Sequence, residues 1–202
     1  MKKTITVILL LVAISTINSI KAQTQEELNT FNKERLNLQK KAMAVLGIWS
    51  IGNIATGIIG YQNTDGSVAE LHKMNAIWNG INLALAVPGY IGASRGKYEL
   101  SLRKTYKEQT GAEKTFLFNA GLDAAYIMGG LYLTEKSKNE TSLTKHNRDL
   151  GYGNSIMFQG GFLMLLDATM YVVHVSHGNK KLANYLDKIV LGANTVGFRH
   201  QF

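Results

Sequence analysis

TFLFNAGLDAAYIMGGLYLT, residues Thr115 to Thr134, is long enough to cross a bilayer and carries one formal charge, Asp123, near its middle. Three other stretches share this layout: Met43–Tyr61 (MAVLGIWSIGNIATGIIGY), Met74–Ala93 and Ser155–Val175, with Asn53, Asn82 and Asp167 near their midpoints. Each is roughly 20 residues, the length a helix needs to span the hydrocarbon layer. Within the four blocks the only formal charges are the two aspartates. A water-soluble helix would show a charged stripe at helical spacing. The expected fold is therefore all-α, a four-helix transmembrane bundle.

Helical phase sharpens the expectation, because residues three or four apart share a face. The polar and small residues line up as Gly47, Ser50, Asn53, Gly57, Gly60 in the first block and Asn75, Asn79, Asn82, Ala86, Gly89 in the second. Asn119, Asp123 and Gly130 share a face of the third, and Gly160, Asp167 and His174 a face of the fourth. Small residues let helix backbones approach, and Asn or Asp side chains then bond across the gap. A carboxylate at mid-membrane costs about 2.5–3.5 kcal/mol on insertion scales, so these faces should turn inward. The candidate intramembrane polar site is Asn53, Asn79, Asn82, Asn119, Asp123, Asp167 and His174. Interhelical bonding is its first reading. Proton or cation exchange at Asp123 and Asp167 is the alternative.

Sliding one half of the chain along the other pairs Asn53 with Asp123 and Gly60 with Gly130. With a longer second connector, WNGINLAL (Trp78–Leu85) also lies over FQGGFLML (Phe158–Leu165). Two repeated helical hairpins are the arrangement this suggests.

Residues 1–22 read as a cleavable secretory signal, with two lysines, an apolar core too short to span, and Ala22 before a polar run. Residues 23–42 space Leu28, Phe31, Leu36 and Leu38 among charges, a pre-membrane amphipathic segment expected to lie on the surface. The four-helix domain then occupies 43–178. A basic tail, 179–202, ends in the alternating Val196, Phe198, His200, Phe202. One such strand does not make a barrel.

The pre-membrane segment, the central connector and the tail carry four, six and four Lys and Arg, and the other two connectors carry one and four. Positive-inside bias assigns the first set to the cytoplasm, whereas a cleaved signal assigns it to the far side. The signal's three-part form is the more specific guide.

The net charge of +8 is scattered through connectors, which points to lipid headgroups and away from nucleic acid. There is no cysteine, which removes disulfides, thiolate metal sites and cysteine nucleophiles. GNIATGIIG lacks the strand that a phosphate-binding turn follows, and His174 with His177 is a weak zinc pattern. No nucleophile elbow is present. No enzyme activity, cofactor, metal or small-molecule substrate is expected. The expected partners are the bilayer and a second copy or another membrane protein. In layout the chain resembles an uncharacterised family of small bacterial membrane proteins with a signal, four helices and a domain of unknown function. That resemblance implies an envelope location, the inner membrane first, and carries no catalytic residue.

Overall fold

The computed structural model describes the backbone of residues 2–183, 189–192 and 195–198, and side chains from Gln25 to Leu182. Four helices account for most of it: α1 (Lys2–Asn63), α2 (Gly66–Arg95), α3 (Leu102–Ser137) and α4 (Leu143–His177). A short π-helical turn, Gly178–Ala183, follows α4. Beyond it Ile189–Gly192 (β1) pairs antiparallel with Thr195–Phe198 (β2), so the alternating tail is half of a small hairpin.

The chain folds as two helical hairpins, α1 on α2 and α3 on α4, joined mainly through α2 and α4. The α1–α2 reversal is tight. Gly66 takes a positive φ of 62° there, a conformation that costs glycine little.

The surface is apolar where the helices would meet lipid. Ile48, Ile51, Ile59, Phe118, Met128, Tyr132, Leu165 and Val172 all point outward, while Ser50, Asn75, Asn79, Gln159 and Asp123 are buried. That inversion suits a bilayer, where polar groups must find partners inside the protein. Three helical stretches are long and apolar enough to cross a membrane: Gln25–Asn63, Leu102–Ser137 and Leu143–Leu182. The expected fourth, α2, is not among them. It has 30 residues, but three asparagines on its inner face lower its hydropathy.

The helices also outrun the apolar blocks. Leu102–Lys114 begins α3 and Leu143–Asn154 begins α4, because Leu, Lys, Glu and Gln sustain a helix as readily in water as in lipid. Residues 25–42 do not lie on the surface. They continue α1 and bury Leu28 and Phe31 against Leu182 and Leu102. Phe31 also stacks on His177, with ring centroids 4.3 Å apart, and Asn32 donates to Thr105 Oγ1 at 2.8 Å. Lys33 lies over the Tyr98 ring at 4.4 Å. The pre-membrane segment, the central connector and the start of the tail thus meet at one end of the bundle, as their shared basic character suggested. The signal reading of 1–22 falls where only the helical backbone is described.

Candidate functional site

The interior faces are those that helical phase picked out. Asn75, Asn79, Asn82 and Ala86 are buried on α2, Asp123 and Gly130 on α3, and Gly160, Asp167 and His174 on α4. They do not form the single polar centre expected, however. They divide into two groups and an isolated histidine.

The first group is a knot of carboxamides among α1, α2 and α4. Asn75 Nδ2 donates to Asn53 Oδ1 at 2.9 Å, and Asn79 Nδ2 donates to the Asn75 carbonyl at 2.8 Å. At its centre is Gln159, fully buried, which donates through Nε2 to Asn53 Oδ1 at 3.3 Å and also to Asn75 Oδ1. Its Oε1 accepts from the Trp49 indole N–H at 2.8 Å. Trp49 stacks flat on Phe162, ring centroids 3.7 Å apart, which fixes the indole for that bond. Sequence reasoning placed Asn53 and Asn79 inward but missed Gln159 and Trp49. Its one available signal was phase, since Gln159 lies four residues from both Ser155 and Leu163 on the inner face of α4.

The second group is acidic. The carboxyls of Asp123 and Asp167 lie against each other, and the Asn119 side chain lines the same space beside Asp167. Two carboxyls this close repel each other when both are ionised. With Asn82 and Asn119 they line a cavity of about 690 Å³ between α2 and α3, walled by Leu46, Leu85, Leu163 and Leu166. Asp123 Oδ2 and Asn82 Nδ2 are buried without a hydrogen-bond partner among the described residues. Trp78 meets Tyr126 edge-on at 4.9 Å and closes one end.

His174 stands apart from both groups. Its ring is 0% exposed and stacks on Phe116 at 5.2 Å. It is His177, three residues on, that makes an ion-pair contact, to Glu34 at 3.0 Å. Lys181, bonded to Glu34 at 2.6 Å, holds that carboxyl below its usual range, and His177 adds to the effect. At the opposite end Asp149 is held low by Lys136 at 2.7 Å and by Arg148. No cluster of three or more metal-binding side chains is found among the described residues.

A family of unknown function, DUF6992, matches residues 45–168, a stretch containing both polar groups in full. The chain belongs to this family. No curated protein and no solved structure matches it. The DUF6992 segment begins after the α1 extension and ends before His174, so Glu34, Arg35 and His177 lie outside it while the central connector with Lys97, Lys104 and Lys107 lies within it. Membership in DUF6992 defines a class and leaves the chemistry to the geometry.

Proposed function

We propose that this is a noncatalytic integral membrane protein of the bacterial inner membrane that binds one exchangeable proton at the Asp123–Asp167 pair, as small proton-coupled carriers do. The observation that carries the reading is the contact between these carboxyls at the wall of a cavity with room for water. The carboxamide knot acts as interhelical glue. Its amides bond one another across three helices, whereas the aspartate pair faces open space. On this reading α2 is the fourth crossing. Its outward Ile77, Ile81, Leu85 and Val87 extend the apolar belt of the other helices, and its asparagines are satisfied or enclosed. The basic end would lie outside the cytoplasm, following a cleaved signal. A proton is favoured over a metal cation because the neighbouring opening of the bundle is lined by Arg35, Lys97, Lys104 and Lys107.

The test is infrared difference spectroscopy on the protein in liposomes, together with aqueous labelling of introduced cysteines. A protonated-carboxyl C=O band that moves on deuteration is expected, and it should be lost in Asp123→Asn/Asp167→Asn. Asn82→Cys and Asn119→Cys should react with a membrane-impermeant thiol reagent, and the lipid-facing Phe118→Cys should not. Absence of the band, or silence at both cavity positions, would refute the proposal. Asp65, Ser101 and Thr141, all exposed, serve as cysteine sites for sidedness.

A further inference from the structure

A second cavity, about 720 Å³, opens at the basic end among α1, α2 and the start of α3. Its deeper walls are apolar: Leu36, Met43, Ala93, Ala112 and Phe116. Its rim is cationic, with Lys97, Lys104 and Lys107 exposed beside a single acid, Glu108. A shallower depression adjoins it, sharing Leu36, Ala93 and Gly96 and adding Lys33, Lys40 and Arg95.

Arg35 is the residue without a structural explanation. Only 2% of its surface is exposed, and it lines the cavity, yet its Nε has no hydrogen-bond partner. Its remaining contacts are long, 3.5 Å to Asn32 Oδ1 and 4.0 Å to Glu108. An arginine stays charged when buried, so an incompletely paired guanidinium is costly unless an anion completes it. Arg35 lies eight residues, about 12 Å, ahead of Met43, where the first apolar block begins. The cavity therefore runs from the water side of the boundary into the depth of the acyl chains.

We infer that this cleft binds an anionic phospholipid, its phosphate on Arg35 with Lys104 and Lys107, and one acyl chain along Leu36, Met43 and Phe116. Charge and shape agree on such an occupant, since the cations stand where a headgroup sits and the apolar walls where a chain enters. A planar guanidinium fork is suited to phosphate oxygens, and lysines add point charges around it.

Native mass spectrometry of the full chain, released from vesicles of equal phosphatidylglycerol and phosphatidylcholine, tests this. One phosphatidylglycerol per chain should be retained in preference to phosphatidylcholine. Arg35→Gln should weaken retention roughly tenfold or more, the factor expected for a charge-assisted bond. Because a buried arginine can matter for folding, Lys104→Gln/Lys107→Gln, both on the exposed rim, should lower retention with the helical circular dichroism intact. Millimolar inorganic phosphate should not displace the lipid, since it has no chain to fill the apolar part. Equal retention of the two lipids, displacement by free phosphate, or retention unchanged in the rim variant would each overturn the inference. None of these readouts depends on Asp123 or Asp167.

Discussion

Adjacent glycines in the third helix should respond in opposite ways to the same methyl group. A Cβ at Gly130 would stand 2.6 Å from the Gly153 carbonyl oxygen and from Met157 Cγ, and 2.9 Å from the Met157 nitrogen. At Gly129 it would meet nothing within 4 Å. Non-bonded carbon contacts settle at about 3.5–4.0 Å, so at Gly130 helices α3 and α4 would have to separate by roughly 1 Å. Two of the three crowding atoms are backbone and cannot rotate away. Overpacking of this kind costs about 1–3 kcal/mol. Ala also favours a helix over Gly by about 0.8–1.0 kcal/mol, but that gain applies equally at both positions and cancels in the comparison. Gly130→Ala should therefore be less stable than Gly129→Ala by about 1–3 kcal/mol. Denaturation in mixed micelles, followed by circular dichroism, measures the difference. Gly160 and Gly161 form a milder pair, since a Cβ at Gly160 would meet the movable Ile127 Cγ1 at 3.0 Å and Gly161 is open. Equal stability of the Gly129 and Gly130 variants would mean that α3 and α4 do not meet along this seam.

Other perturbations test separate parts of the structure. Gln159→Leu should cost about 1–2 kcal/mol, because interhelical bonds in membranes average near 0.6 kcal/mol and Trp49, Asn53 and Asn75 each lose one; the Trp49 emission should change with it. Asp149→Asn should lower stability at pH 7. Since Lys136 and Arg148 depress the Asp149 carboxyl, its contribution is present above the unfolded value of 3.8 and is lost as pH falls through the lower folded value. The difference between variant and wild type should thus close in acid, which a denaturation series across pH would show. Intact-mass analysis of the membrane-extracted protein should place the mature N-terminus at Gln23, and a full-length mass would exclude cleavage of the signal.

Helical phase made the inner faces legible, because a 3.6-residue period maps directly onto burial in a bundle whose outside is apolar. Asn75, Asn79, Asn82, Asp123 and Asp167 were all placed inward from spacing alone. The sorting of these residues into an amide knot and an acidic cavity was not legible. It depends on which helices adjoin, and Trp49 and Gln159 are 110 positions apart. Hydropathy located the apolar lengths of the helices but not their ends, so the helical overhangs were read as connectors. Arg35 escaped notice for the same reason. A charge in a connector reads as solvated, and its burial follows only once α3 begins beside it.

The overhang has a mechanical consequence. From Gln25 to Asn63 α1 is 39 residues without a break, about 58 Å of rod against a hydrocarbon layer near 30 Å. The stub that carries Phe31 and Arg35 is thus one arm of a lever whose other arm carries Met43 and Leu46. Those two side chains wall the space beside the aspartates. A tilt imposed on the stub from the water side moves that wall directly, with no loop between to absorb it.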